Sequence, residues 1–292
     1  MISHEGKNVS SPGRWLTNLS RWFDTLAAMS RKELIIMSRY PVEFVASFGQ
    51  IFLIITIMTL AGLMFAPNDA LQSEKASSAA GLVLYGFIIF IFLSDTLWNI
   101  GYNIRREQKQ GTLEQLYMSP ASKSASLVSR VIIILFWTGI LSLAAAWLVS
   151  AIIGKLPFAN LPLAAFILVM TLAGTFGVGF AFAALTLRVR ETAQTLANSL
   201  QFAFIVLCAP FFPFAALPTW LQIISRLIPL SYGVDAFRST MMDYPAGFPE
   251  LAGIEIELVI VTAFGILMPP LGFWLYRREE DQARSKGSLS EY

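Results

Sequence analysis

The groups in this chain that could do chemistry are few and far apart. Cys208 is the only cysteine and His4 the only histidine, so neither an internal disulfide nor a His/Cys metal cluster can be assembled. No His-Glu-x-x-His and no Gly-x-Ser-x-Gly occurs, which leaves hydrolase chemistry without its base and nucleophile. No Gly-x-x-x-x-Gly-Lys-Ser/Thr loop occurs either, so the chain does not cradle nucleotide phosphates itself. What remains is a small set of ionisable residues inside apolar runs, where charge is costly. Asp95 and Asn99 stand four apart on one helical face, and Arg130 sits at a similar depth in the next apolar run. A structural pair between Asp95 and Arg130 is the simpler reading, ahead of a substrate or ion site.

Between those two runs lies a polar island, Arg105 to Pro120. Its composition predicts a short helix. Thr112 can act as an N-cap with Gln115 three residues on, a capping-box pattern, and Gly111 before it permits a sharp turn. Pro120 ends it. Leu113, Leu116 and Tyr117 recur at helical spacing, with Glu114 beside the stripe they form. A helix of about two turns is not stable alone and must be held by its neighbours. The residues themselves leave two readings open, an ordinary capped loop helix and a helix that docks on a partner.

The elements that position these residues follow from composition. Of 292 residues 55% are hydrophobic and 14% charged, with mean hydropathy +0.62, more apolar surface than one soluble core of that size can hide. The expected fold is all-α and polytopic, with six transmembrane helices near 44–65, 80–102, 127–153, 161–187, 198–216 and 254–276. The first thirteen residues read as a polar tail without a signal peptide. Residues 14–43 contain an amphipathic helix, with Trp15, Leu19, Trp22, Phe23 and Leu26 on one face, suited to lying in the headgroup region. Residues 277–292 read as a solvated cytoplasmic tail.

Charge sets the expected orientation. With the N-terminus inside, cytoplasmic segments carry sixteen Lys and Arg, and external ones carry Lys75, Lys155, Arg226 and Arg238. Both termini and the Gly111–Pro120 segment then face the cytoplasm. A net charge of +2 offers no basic field for nucleic acid. Gly174, Gly177 and Gly179, with Ala173 and Ala181, make a smooth face on the fourth span that favours close helix packing. Asn198 and Gln201 read as interhelical hydrogen-bonders. Pro210 and Pro213 should break the fifth span near its outer end. Beyond it lie two amphipathic pieces: Pro218 to Leu227 with Trp220, and Pro229 to Met241 with Tyr232, Asp235 and Arg238. On physical grounds they read as an interfacial cap anchored by Trp, Tyr and Arg.

Two stretches carry a family resemblance that covers roughly Arg31 to Arg278. Gly111-Thr112-Leu113-Glu114-x-Leu116-x-x-Ser119-Pro120 resembles the coupling-helix signature in the first cytoplasmic loop of ABC-2 type transporter permeases. Leu217-Pro218-x-Trp220-Leu221-Gln222, followed by Ile228 to Arg238, is similar to the segment those permeases carry between their last two spans. Ile228 departs from the pattern, since many relatives have Asn there. The resemblance implies an integral membrane subunit of an ATP-binding cassette exporter, with the multidrug and ion exporter branch nearer than the polysaccharide exporters. It further implies a second permease chain and separate ATPase subunits that bind ATP and Mg, with no cofactor on this chain. Gly111 to Pro120 would couple to the ATPase, Tyr117 included, and the interfacial helix would also contact it. Residues Pro218 to Arg238 would form re-entrant or outer-leaflet helices closing the external end of the path. A secondary transporter or channel working without ATP is the rival class, although Asp95 is nearly alone at mid-membrane.

Overall fold

A long apolar run without a partner strand satisfies its backbone amides in one way, by closing them on its own carbonyls every four residues. A computed structural model describes residues 73–109, 123–153, 156–189 and 192–285, together with a discontinuous set of positions between 24 and 57. Among the described residues no strand occurs, and the regular elements are helices. They are α1 (Ser73–Lys109), α2 (Lys123–Ile153), α3 (Leu161–Val189), α4 (Ala193–Leu207), a 3-10 turn (Phe214–Ala216), α5 (Thr219–Ser225), α6 (Pro229–Met241) and α7 (Ile254–Ser285). Three of them contain runs long and apolar enough to cross a membrane, Ala80–Leu97, Leu161–Thr186 and Ile254–Gln282. Leu135–Ala151 and Thr195–Leu207 are shorter apolar helical runs.

Two boundaries differ from the sequence expectation. The helix expected over 198–216 ends at Leu207, because Pro210 and Pro213 cannot continue it and Ala209 turns the chain at φ +44°. The last helix runs past Tyr276 to Ser285, through residues read as a solvated tail. Its charged extension is held where Arg277 lies 4.7 Å from the centre of the Phe273 ring. Where residues of the expected interfacial helix and first span are described, they are helical, and Phe48 and Ile54 lean on the core. The remainder of those two segments lies outside the described residues, as do the tails 1–13 and 286–292.

Helix α3 is the axis of the bundle, in contact with α7, α1, α6 and α4. Its small residues decide how near its neighbours come. A Cβ built on Gly177 would collide with the backbone of Met268 and lie 2.6 Å from the nitrogen of Pro269, while one on Gly174 would enter the Phe264 ring. From the facing side, Gly265 abuts the carbonyl of Met170 and Gly272 that of Gly177. The two backbones touch, so α3 and α7 associate by van der Waals contact without an interlayer of large side chains. This is the role expected for Gly174 and Gly177. Gly233 does the same between α6 and α3, where a Cβ would stand 2.6 Å from Thr171.

Burial is inverted relative to a water-soluble bundle. Ile132, Phe136, Ile140, Leu143 and Trp147 recur every three or four residues on one face of α2, and that face is the exposed one, Trp147 at 72%. Val259, Ile266, Leu267, Leu271 and Trp274 are exposed in the same way on α7. Apolar stripes of this extent on the outside of a helical bundle suit hydrocarbon as solvent.

Candidate functional site

Polar groups inside the bundle gather at two levels. The first is mid-helix. The Oγ1 of Thr138 on α2 donates to Oδ2 of Asp95 on α1 at 2.5 Å, and one residue earlier Ser94 Oγ receives Gln201 Nε2 from α4 at 2.6 Å. Adjacent residues of α1 therefore tie it to helices on two sides. Thr138 escaped the sequence reading because a lone threonine in an apolar helix usually bonds its own backbone, as Thr175 does with the carbonyl of Thr171. Gln201 acts as the interhelical donor expected of it. Arg130, the expected partner of Asp95, lies eight residues before Thr138 on α2, about 12 Å along the axis, and its side chain is outside the described residues. Thr138→Val is expected to lower thermal stability by about 1 kcal/mol, with Thr138→Ser restoring it. A double-mutant cycle with Asp95→Ala checks the link, which is absent if the two losses simply add.

The second level is the end of the bundle where α4 stops. There the chain turns through residues 208–218, forms α5 and α6, and returns along 242–253 to α7. Helix α6 is almost wholly buried, from Leu230 through Met241 with only Tyr232 in part exposed. This corrects the expected interfacial cap. Asp235 and Arg238 are 0% exposed, so Arg238 is not an anchor reaching for headgroups. Trp220 on α5 keeps the surface role, at 61% exposed, beside Ile223 and Leu227. Pro218 is the N-cap of α5 and Pro229 the first residue of α6, where a missing N–H costs nothing. Tyr232 donates its hydroxyl to the carbonyl of Arg226 at 2.9 Å and so braces α6 on the end of α5.

Arg238 holds the turn after α4. Its Nη1 donates to the carbonyl of Phe212 at 3.2 Å and its Nη2 to that of Ala209, the residue in left-handed conformation. The guanidinium fits because Gly86 on α1 has no side chain: a Cβ there would lie 2.7 Å from Arg238 Nε and overlap the carbonyl of Pro210. Asp235, one turn earlier, faces the other way. Its Oδ2 accepts the backbone N–H groups of Glu250 and Leu251, each at 2.7 Å. Glu250 Oε2 in turn accepts the N–H of Ala215 at 2.6 Å, and Glu257 Oε1 on α7 accepts that of Ala252 at 3.2 Å. Ser225 and Ser231 donate to the carbonyl of Leu207 at 2.7 and 3.3 Å, closing α5 and α6 onto the end of α4.

One helix thus pins the outgoing turn with its arginine and the returning strap with its aspartate. Burial drives the electrostatics. It pushes the Asp235 and Glu250 carboxyls above their usual range against the lowering pull of the N–H groups they accept, and draws Arg238 down to about 10. Glu250, Glu257 and Gly86 were not singled out from the sequence. Glu257 left a signal, an ionisable residue inside the last apolar run, whereas nothing local marks Gly86 or Glu250. The Gly111, Thr112, Leu113, Glu114, Leu116, Tyr117 and Pro120 segment lies outside the described residues, between the ends of α1 and α2.

A chain whose described regular elements are all helices, with lipid-suited apolar faces and buried polar ties between them, is an integral membrane protein. It belongs to the ABC-2 family: the model of the ABC-2 family transporter proteins matches residues 66–274, most of the chain. It is therefore a membrane permease of the ABC transporter kind, a class whose work is transport and whose members normally operate with ATPase subunits. None of the curated proteins matches the chain.

Proposed function

We propose that this chain is the membrane-spanning permease subunit of an ATP-driven exporter, moving a hydrophobic or amphiphilic substrate outward across the cytoplasmic membrane. ATP and Mg are bound by separate ATPase subunits, and a second permease chain, identical or not, completes the path between two bundles. The chain crosses the membrane six times with both termini in the cytoplasm, in keeping with its distribution of Lys and Arg. The observation that carries the reading is the sequence of Gly111–Pro120, with its capping-box pattern and apolar stripe, set between two long helices in a chain that has no phosphate-binding loop of its own. Its Leu113, Leu116 and Tyr117 stripe seats in the ATPase, and Glu114 pairs with a basic residue there. Closure of the ATPases pushes on this segment and through it on α1 and α2. Helices α5 and α6 close the far, external end of the path, which explains why they turn back into the bundle at that end. The exporter of drugs and ions is the nearer comparison on the Leu217–Arg238 segment, ahead of export of polysaccharides or lipid-linked glycans.

Co-purification from the native membrane tests the reading. The tagged wild-type chain is expected to bring down an active ATPase, and Glu114→Arg to reduce recovered ATPase at least about tenfold, equivalent to about 1.4 kcal/mol of interface affinity. Wild-type chain that arrives without any ATPase under mild detergent removes the ABC mechanism and puts an ATP-independent carrier in its place.

A further inference from the structure

The carboxyls of Asp235 on α6 and Glu257 on α7 take consecutive backbone amides of the strap, those of Leu251 and Ala252, which brings them side by side, and both residues are 0% exposed. Each uses one oxygen on backbone N–H groups, Asp235 Oδ2 on Glu250 and Leu251 and Glu257 Oε1 on Ala252. The other oxygen of each, Asp235 Oδ1 and Glu257 Oε2, is buried and receives no N–H or O–H donor from the protein. Two carboxylate oxygens are both acceptors, so their contact becomes a bond only if one carries hydrogen. Both ionised and dry, they would repel at close range in low dielectric. Arg238 offsets this only in part and at a distance, because it spends its Nη groups on the carbonyls of Ala209 and Phe212 and donates to neither free oxygen.

From this geometry we propose that Asp235 and Glu257 form a proton-binding site: a single proton held between them latches α6, and with it the whole α4–α6 turn, to the first turn of α7. The bound species is a proton, taken from the solvent at that end of the bundle and returned to it, with no other reactant. Among the described residues, the titratable groups acting on the pair are Arg238 on α6 itself and Glu250 on the returning strap; further off, Cys208 on the turn after α4 lies near Arg238, and Tyr85 on α1 packs edge-on against Phe237. From α3, Thr171 packs on α6 at Gly233 and carries no charge. Loss of the shared proton leaves two buried negative charges in contact and opens the latch. The folded, latched state binds one proton more than the open state, so the latch is firm at low pH and weakens as pH rises. The inference concerns this end of the bundle alone and does not depend on the direction of transport or on the ATPase.

The chain supplies its own reporter. Cys208, the single cysteine, is 2% exposed beneath the turn, with the Ser231 hydroxyl 3.6 Å from its sulfur. A thiol reagent reaches it when the latch opens. The full-length protein in lipid nanodiscs is labelled with a neutral maleimide at several pH values, beside Glu257→Gln and Asp235→Asn. Either amide supplies the missing donor without a titrating proton, and the reagent's own pH dependence cancels in the ratio of wild-type to variant rates. The expected ratio is near one at about pH 6 and rises about tenfold by about pH 9 for both variants. A ratio that does not move with pH overturns the proposal. So does protection that follows sodium concentration at constant pH, which would put a metal cation between the carboxylates. If Glu257→Gln fails to fold, the Asp235→Asn ratio alone decides, since the amide keeps one oxygen to accept the strap N–H groups in place of Oδ2.

Discussion

Gly177→Leu is expected to destroy the assembled bundle. The atom that a side chain would strike is the main chain of Met268 and Pro269 on α7, and a backbone cannot rotate out of the way as the Phe264 ring opposite Gly174 can. Relief requires α3 and α7 to separate, which breaks the matched contact at Gly272 one turn further along and exposes the whole seam. The cost is expected to exceed about 3 kcal/mol, the upper end for overpacked sites. In practice the variant should yield little monodisperse protein after mild-detergent extraction. Gly139→Leu on α2, where nothing lies within 4 Å of the added carbon, serves as the control for simple loss of a glycine. Gly174→Ala should fall between them. Equal yields for Gly177→Leu and Gly139→Leu would mean that α3 and α7 do not meet as described.

Arg238→Leu is expected to release the turn after α4, at a loss of about 3–5 kcal/mol. The substitution strips donors from the carbonyls of Ala209 and Phe212, at about 1–3 kcal/mol for each group left unpaired. It also removes the positive charge that offsets Asp235 and Glu250. Arg238→Lys should rescue poorly, because one ammonium on a flexible stem cannot reproduce a planar fork that serves two carbonyls three residues apart. Gly86→Val attacks the same contact from α1, through bulk alone, by occupying the space of the guanidinium. Thermal unfolding of the purified protein reads all three. If Arg238→Leu unfolds at the wild-type temperature, the arginine is not what holds the turn. The pairing with Gly86 adds a second check, since Arg238→Leu combined with Gly86→Val should lose less than the sum of the two.

Several features were legible without coordinates because they depend on neighbours along the chain. Apolar runs of membrane length declare helices: the candidates over Ala80–Leu97 and Leu161–Thr186 fall inside expected spans, and Ile254–Gln282 starts where the last span is expected and runs past its expected end at Tyr276. Pro210 and Pro213 announced a break, and the small residues around Gly174 and Gly177 announced close packing, since both follow from local stereochemistry. The Gly111–Pro120 and Leu217–Arg238 motifs pointed to the ABC-2 family, to which the chain belongs.

Other features exist only because distant segments meet. Spacing could say that Asp95 needs a partner but not that Thr138, forty-three positions away, supplies it, because helix register between α1 and α2 is set by packing. The pattern of Pro229–Met241 is amphipathic, and periodicity alone assigns its polar face to water. Whether that face meets water or buried carbonyls depends on where the chain turns, and here the Ala209 and Phe212 carbonyls and the strap N–H groups take the place of solvent. Gly86 looks like any glycine in an apolar helix until Arg238, which is more than one hundred and fifty residues away, is laid against it. Local sequence thus determined that this protein is a bundle of membrane helices of the ABC-2 kind. Tertiary structure alone decided which buried charges face one another, since an ionisable side chain in low dielectric is defined by the groups that the fold brings within hydrogen-bonding reach.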